Sequence, residues 1–418
     1  MDLQITTAGA LIGLIIAIVL IVRRYEPAYG MMVGALIGGL VGGASLIETV
    51  NVMIGGAQDI MSAVVRIIAS GVLAGTLIKS GAAIKIAEKI IDLMGEKRAL
   101  LGIMLSTMIL TGIGVFGDVA VITVAPIAIA LGNKLNYSKI TLLAAMVGGE
   151  KAGMVISPNP NTIATAENFG VELFSLMMAG FIPAIFGILF TILVCKFLHK
   201  KFPIIGNQQE NDEVILELPS ILASISGPIV VIALLVLRPV FGITVDPLVA
   251  LPIGGLVGMV CMRRSKQARE YMSFGLQKMM PVAILLIGTG TIAGIIKHSA
   301  LQYDLVYLLD LMNLPEFLLA PISGTLMGAV TASSSAGAAI ASSTFGATIS
   351  TVIAPLYGAV MLHAGTIVLD TLPQGSFFHA SAGAVNMSVA DRLKLLPYDF
   401  VIGAGITVAA TILYGIIL

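Results

Sequence analysis

The sequence predicts an all-α polytopic membrane protein made of two inverted-topology repeats, with re-entrant helical hairpins and discontinuous helices. Three observations predict this fold class. The composition is strongly apolar, an internal repeat extends along most of the chain, and the apolar segments are interrupted at matched places in the two halves.

The composition alone indicates a membrane protein. Of 418 residues, 57% are hydrophobic and only 11% are charged, whereas a soluble domain carries about 25% charged residues. The 46 glycines suit helices that pack closely in lipid. A formal net charge of zero gives no indication of a nucleic-acid partner. The four histidines and two cysteines lie at spacings that predict no metal site.

Five short matches recur in the same order in both halves of the chain. They pair Glu26-Pro27 with Asp246-Pro247, Ile37–Gly42 with Ile253–Gly258, Ala74-Gly75 with Ala293-Gly294, Ile91–Met94 with Leu309–Met312, and Ala152-Gly153 with Ala364-Gly365. The sequence therefore predicts a first repeat over residues 1–205, a cytoplasmic linker over 206–218 and a second repeat over 219–418.

Basic residues indicate how the halves are oriented. They follow the first apolar segment, precede the linker and follow a later segment of the second half, at Arg23, Arg24, His199, Lys200, Lys201, Arg263, Arg264, Lys266 and Arg269. Because basic loops are retained on the cytoplasmic side, this pattern predicts inverted halves with both termini outside. Inverted repeats are typical of secondary transporters.

The apolar pattern is broken over residues 116–170 and again over 331–391. An apolar piece of about 10–14 residues is too short to cross about 30 Å of hydrocarbon as a helix. Non-helical backbone at that depth must line a cavity or be buried in protein. Paired interruptions of this kind are a pointer to a substrate site.

The first interruption contains the motif Ser157-Pro158-Asn159-Pro160-Asn161-Thr162. Its two prolines forbid regular helix, and its hydroxyl and amide groups suit a carboxylate. We therefore predict substrate binding by Ser157, Asn159, Asn161 and Thr162. The alternative is an ordinary turn outside the membrane.

Three charged residues of the first half are also candidates. A charge at bilayer depth is costly and tends to be functional or paired. Lys151 is a candidate to attract the anion and Glu150 to carry a proton, unless both cap a loop at the interface. Asp118 is a second candidate proton carrier, with a helix-capping role as its alternative.

The second interruption supplies the serine tract Ser333, Ser334 and Ser335, which either contacts substrate or joins helices by hydrogen bonds. It also contains a polar loop from Asp370 to His379. We predict substrate binding by the serines and by the loop residues Thr371, Gln374 and Ser376. Asp370, His363 and His379 are candidate proton carriers, since histidine titrates near neutral pH.

At these residues the chain resembles the gluconate permease family of bacterial proton symporters, within a wider group of inverted-repeat ion transporters. The resemblance covers nearly the whole chain and rests on Phe116-Gly117-Asp118 with Val124-Ala125-Pro126, Pro158-Asn159-Pro160, the serine- and threonine-rich stretch before Ala354-Pro355-Leu356, and the loop Asp370–His379. It implies a non-enzymatic, cofactor-free importer of a small organic anion, such as a sugar acid or another hydroxy carboxylate, by proton symport. It also implies a homodimer in the bacterial cytoplasmic (inner) membrane, in which a transport domain slides against a scaffold in an elevator-type movement.

The chain departs from that family at two polar motifs. The family's motif at the position of Ser157–Asn161 reads more like Pro-Pro-His-Pro-Gly. The family's second-half element His-x-Asn-Asp is replaced here by Thr371-Leu372-Pro373-Gln374. A sodium-coupled carboxylate or amino-acid carrier and a passive anion channel therefore stay open as alternatives. An intramembrane aspartyl protease would need Asp118 and Asp370 as a dyad, but such enzymes carry Gly-x-Gly-Asp and lack an inverted repeat.

Overall fold

The computed structural model describes residues 5–23, 25–202, 217–243, 245–301, 304, 311, 315–373 and 375–418. The described part of the chain is helical, apart from connections and a single bridge between Ile5 and Ser299. The helices of the first half are α1 (Thr7–Val22), α2 (Pro27–Val41), α3 (Leu46–Asp59), α4 (Met61–Lys79), α5 (Ala82–Met94), α6 (Ala99–Gly112), α7 (Gly117–Leu135), α8 (Lys139–Met154), α9 (Pro160–Phe169), α10 (Leu173–Ala179) and α11 (Phe181–Lys201).

The described helices of the second half follow a similar order. Its helices are α12 (Ile221–Phe241), α13 (Pro247–Cys261), α14 (Ala268–Lys297), α15 (Leu319–Thr331), α16 (Ser334–Val352), α17 (Pro355–Thr366), α18 (Ser376–Ala384), α19 (Val389–Leu393) and α20 (Leu396–Thr411), which continues as a π-helical turn over Ile412–Ile417. Short 3₁₀ turns cover Glu96–Arg98, Ser265–Gln267 and Glu316–Leu318.

The spacing of corresponding helices is nearly constant. Helices α7 and α16 begin 217 residues apart, and α9 and α18 begin 216 residues apart. The two helices α3 and α4 correspond to the single long helix α14. The repeat boundaries at 205 and 219 stay a prediction, because residues 206–216 of the predicted linker lie outside the described residues.

The helices divide into two bodies. The scaffold consists of α1–α4 and α12–α14, in which α4 packs on α13 and α14, and α14 also packs on α2 and α3. Glycines permit the closest approaches: a Cβ added at Gly275 of α14 would lie 1.8 Å from the carbonyl oxygen of Gly71 in α4. Such small-residue contacts are how helices associate in lipid, where apolar side chains gain nothing by leaving the solvent.

The second body, here the hairpin domain, consists of α6–α11 and α15–α20. Within it α8 packs on α6 and α11, α16 packs on α9 and α15, and α20 packs on α11 and α17. Glycine again sets the spacing, since a Cβ at Gly149 of α8 would lie 2.1 Å from the carbonyl oxygen of Met104 in α6. Helix α5 contacts both bodies.

By length and composition, five helical stretches of the described residues could cross a membrane: Met61–Lys79, Gly117–Leu135, Leu173–Lys201, Ser265–Lys297 and Val389–Ile417. Apolar helices of 10–17 residues accompany them. The prediction of short pieces throughout residues 116–170 is therefore wrong for α7, which is one helix of 19 residues with Pro126 inside it. A helix in the membrane tolerates such a proline where neighbours take up the freed backbone group, and α7 packs between α6, α8 and α18.

Candidate functional site

Two hairpin tips face each other across the pseudosymmetric halves. The first joins α6 to α7 through Gly114, whose φ of +98° is accessible to glycine without strain. The second joins α15 to α16 through Ala332 and Ser333. The Ser333 hydroxyl accepts the Ala336 N–H at 3.3 Å and so caps α16. Each tip therefore presents the start of a helix, where first-turn N–H groups lack helical acceptors.

Asn159 bridges the break between α8 and α9. Its Nδ2 donates to the carbonyl oxygen of Met154 at 3.0 Å, at the end of α8. Its Oδ1 accepts the backbone N–H of Thr162 at 3.0 Å and the Thr162 hydroxyl at 3.1 Å, at the start of α9. One amide therefore satisfies groups on both sides of the interruption, which the two prolines leave without a continuous helix.

Lys151 closes the corresponding break between α17 and α18. Its ammonium group donates to the carbonyl oxygen of Ile367 and to the carboxylate of Asp370. The side chain of Lys151 has no exposed surface and that of Asp370 is 6% exposed. A buried ion pair needs such additional hydrogen bonds to offset desolvation. The first half of the chain thus fixes the polar loop of the second half.

A cavity of about 250 Å³ lies where the two tips meet these breaks. Hydroxyl and amide groups line one part of it, from Asn159, Asn161, Ser333, Ser334 and Ser335. Three carboxylate side chains line it as well, from Asp118, Glu150 and Asp370. The Ser335 hydroxyl donates to Asn161 Oδ1 at 2.5 Å and so joins the α16 tip to α9.

Glu150 occupies the most enclosed position among these carboxylates. The residue is 2% exposed, and its Oε2 has no hydrogen-bond partner within the described part of the chain. Its Oε1 lies 2.2 Å from the position that a Cβ on Gly117 would take, at the start of α7. The absence of a side chain at position 117 makes room for this carboxyl group. That contact explains why a glycine stands before Asp118.

The other predicted site residues whose side chains the structure describes do not line the cavity. Lys151 is engaged as described, while Ser157, Thr162 and Thr371 are buried. His363 is buried in α17, and its Nε2 has no partner among the residues described here. His379 is exposed, with its Nε2 2.9 Å from the carbonyl oxygen of Pro373. Gln374 lies outside the described residues, as does the side chain of Ser376.

Sequence reasoning missed two charged features. Lys278 of α14 lines the cavity with its Nζ 3.8 Å from Asp118 Oδ2. A single lysine within the apolar stretch of α14 is the signal that could have revealed it. The second feature is an ion pair between Arg392 and Asp399, at 2.7 Å with both side chains fully buried. Arg392 Nε also lies 3.2 Å from Ser381 Oγ.

Comparison with known proteins assigns the chain to a family of membrane permeases. The model of the GntP family permease matches residues 5–417. The chain belongs to the GntP permease family. This permease is 52% identical over 417 residues to an uncharacterized transporter of Haemophilus influenzae, with 99% of each chain covered. It is 28% identical over 169 residues to the gluconate permease of Bacillus subtilis, covering 39% of this chain and 37% of the other.

A solved structure supports the fold of this permease. The crystal structure of the Alcanivorax borkumensis YdaH transporter superposes with a TM-score of 0.62 over 87% of each chain. Only 13% of the aligned residues are identical, so this likeness concerns the fold alone. With the family assignment, it identifies the molecule as a multi-pass membrane transporter.

Proposed function

We propose that this permease imports a small hydroxy carboxylate, with a gluconate-like sugar acid as the leading candidate, together with protons. The cavity where the paired interruptions meet carries this proposal. Its volume of about 250 Å³ is below the roughly 300 Å³ at which pockets for drug-sized ligands begin. The amides of Asn159 and Asn161 and the hydroxyls of Ser333–Ser335 suit a substrate rich in hydroxyl groups.

The charge of the lining supports coupling to a cation. Asp118, Glu150 and Asp370 contribute three carboxylates. Lys151 already pairs with Asp370, and Lys278 of the lining adds one further positive charge. An organic anion adds a further negative charge to a space of low dielectric constant, which is unfavourable without compensation. Protons that bind to these carboxylates would provide that compensation. Glu150 is our first candidate, since one of its oxygens is buried without a described partner.

The division into two bodies supports an elevator-type movement. Most of the cavity lining belongs to the hairpin domain, while Lys278 and Val282 belong to the scaffold. We infer that the hairpin domain is the transport domain and slides along the scaffold with its substrate. The resemblance to gluconate permeases extends this proposal to a homodimer in the bacterial cytoplasmic membrane. The placement of the basic residues extends it to an orientation with both termini outside.

Reconstitution into proteoliposomes tests the proposal. A thermal-shift screen of sugar acids, short hydroxy acids, dicarboxylates and amino acids first selects binders, because a ligand stabilises the state that binds it. Radiolabelled gluconate should then accumulate above equilibrium under an inward proton gradient without sodium. Accumulation that requires a sodium gradient would replace the proton by sodium. Uptake that only equilibrates under either gradient would identify a passive channel and overturn the proposal.

A further inference from the structure

The cavity contains one basic side chain among the described residues that line it, and that side chain comes from the scaffold. Lys278 is the eleventh residue of α14, whereas the hydroxyl, amide and carboxylate groups of the lining belong to the hairpin domain. Lys151 is the other lysine of the region, but its ammonium group is buried between Ile367 and Asp370. Among the residues that the structure describes, an anion that enters the cavity therefore meets one accessible cation, Lys278.

The geometry of Lys278 leaves this cation available. Its side chain is 40% exposed and its Nζ lies 3.8 Å from Asp118 Oδ2. That separation is short enough for an ion pair but longer than the 2.7–3.2 Å donor–acceptor distance of an N–H···O hydrogen bond. The neighbouring aromatic ring of Phe274, one turn earlier on α14, lies 5.9 Å from Nζ and helps to fix the side chain. Asp118 meanwhile accepts the backbone N–H of Val119 at 2.9 Å.

We propose that Lys278 is the residue that binds the carboxylate of the substrate, in competition with Asp118. This inference rests on the proposed function and names the group that makes the site specific for anions. A carboxylate oxygen within about 2.7–2.9 Å of Nζ forms a charge-assisted hydrogen bond, which the longer contact with Asp118 does not provide. A neutral polyol of the same length offers a hydroxyl oxygen without a negative charge to Nζ and therefore binds more weakly.

The position of Lys278 on the scaffold has a further consequence for transport. The substrate hydroxyls bind the hairpin domain while its carboxylate binds the scaffold, so the bound anion connects the two bodies. The complete site exists only while Lys278 faces the tips. Movement of the hairpin domain along the scaffold separates the carboxylate from Lys278 and lowers the affinity, which favours release.

Isothermal titration calorimetry with gluconate tests this assignment on the purified full-length protein. A hydrogen bond to a charged group contributes about 1.5–3 kcal/mol, so Lys278→Gln should raise the Kd roughly 10- to 100-fold. Lys278→Arg keeps the charge and should remain within a few-fold of wild type. Lys297→Gln is the matched control, because Lys297 lies on the same helix and pairs with Asp59 at 2.9 Å within the scaffold. It should bind gluconate as wild type does.

A charge-rescue experiment covers the case in which Lys278→Gln does not fold. Lys278→Cys is prepared with Cys195 and Cys261 replaced by serine, then modified with either aminoethyl or hydroxyethyl methanethiosulfonate. The aminoethyl group restores the positive charge and should restore gluconate binding, while the hydroxyethyl group should not. Equal affinity of the two adducts, or of wild type and Lys278→Gln, would overturn the role of Lys278 and leave the proposed function intact. If the wild type bound neither gluconate nor any other carboxylate of the screen, both the role of Lys278 and the proposed function would be overturned.

Discussion

The carboxyl group of Glu150 occupies the space that a side chain at position 117 would need. A Cβ built on Gly117 would lie 2.2 Å from Glu150 Oε1 and 2.9 Å from its Cδ, both well inside van der Waals contact. The two residues lie on consecutive helices, α7 and α8, and both line the cavity. The Phe-Gly-Asp motif thus sets the position of a carboxyl group 33 residues further along the chain.

Gly117→Ala should therefore displace Glu150 and leave the fold in place. The clash is with the end of a side chain that has rotatable bonds, so Glu150 moves and the backbone need not. We expect proton-driven gluconate uptake to fall roughly tenfold or more, equivalent to about 1.4 kcal/mol, with an unchanged elution volume in gel filtration. Gly55→Ala is the control, because a Cβ at that position meets nothing within 4 Å. Normal uptake by Gly117→Ala would show that Glu150 need not occupy its observed position.

Asn159 and Asn161 should respond differently to substitution by alanine. Asn159 caps α9 and also bonds the end of α8, so Asn159→Ala should lower stability by about 1–2 kcal/mol. Asn161 lines the cavity and accepts from Ser335, so Asn161→Ala should weaken gluconate binding with a smaller effect on stability. Thermal unfolding without ligand, followed by titration with gluconate, separates the two effects. A reversed pattern would exchange their assigned roles.

Arg66 connects the scaffold to the hairpin domain and offers a test of sliding. Its guanidinium group bonds Asp246 of the scaffold through Nε–Oδ1 at 3.0 Å and Nη2–Oδ2 at 2.7 Å. It also bonds Glu167 near the end of α9, which belongs to the hairpin domain. If the two bodies move past each other, the bond to Glu167 must break in every transport cycle while the bonds to Asp246 persist.

Cross-linking distinguishes these two contacts. Cysteine pairs at positions 66 and 167, or at 66 and 246, are introduced with Cys195 and Cys261 replaced by serine, and joined by a short bifunctional methanethiosulfonate. Cross-linked Arg66→Cys/Glu167→Cys should lose gluconate uptake and regain it after reduction. The Arg66→Cys/Asp246→Cys pair should transport equally before and after reduction. Continued uptake by the first pair while it is cross-linked would contradict an elevator movement.

Arg392 should be among the residues most sensitive to substitution outside the cavity. It is fully buried, its partner Asp399 is also fully buried, and its guanidinium carbon lies 5.2 Å from the centre of the Phe378 ring. Arg392→Met leaves Asp399 buried without its counter-charge, which costs about 3–5 kcal/mol. We expect a large fall in thermal stability and in yield. Lys394→Gln, which removes an exposed pair with Asp391, should change stability by less than about 1 kcal/mol.

Patterns within the sequence were sufficient to predict the fold class and part of the candidate site. The apolar composition predicted a polytopic helical protein, and the recurring matches predicted a second half that repeats the element order of the first. The motif at Ser157–Thr162 and the tract Ser333–Ser335 stand out because polar residues are rare in apolar stretches. Five of those residues line the cavity: Asn159, Asn161, Ser333, Ser334 and Ser335.

Partners distant in sequence could not be predicted in the same way. Lys151 bonds Asp370, 219 positions away, and only the packing of α8 against the second half brings them together. The contact between Lys278 and Asp118 depends on how α14 of the scaffold faces α7. The continuity of α7 through Pro126 depends on its neighbours, because proline alone predicts an interruption. Each of these features is a property of tertiary contacts.

The length of two scaffold helices determines how the protein deforms the lipid around it. Helices α2 and α13 have 15 residues each, which corresponds to about 22 Å at 1.5 Å per residue, against about 30 Å of hydrocarbon in a typical bilayer. Tyr25 and Tyr29 are exposed near the start of α2, and tyrosine is enriched at the membrane interface. Local thinning of the bilayer is one way to match helices of this length, and it would shorten the distance that a substrate has to travel between the two aqueous phases. We therefore expect the acyl-chain length of the host lipid to affect turnover, with faster transport in thinner membranes.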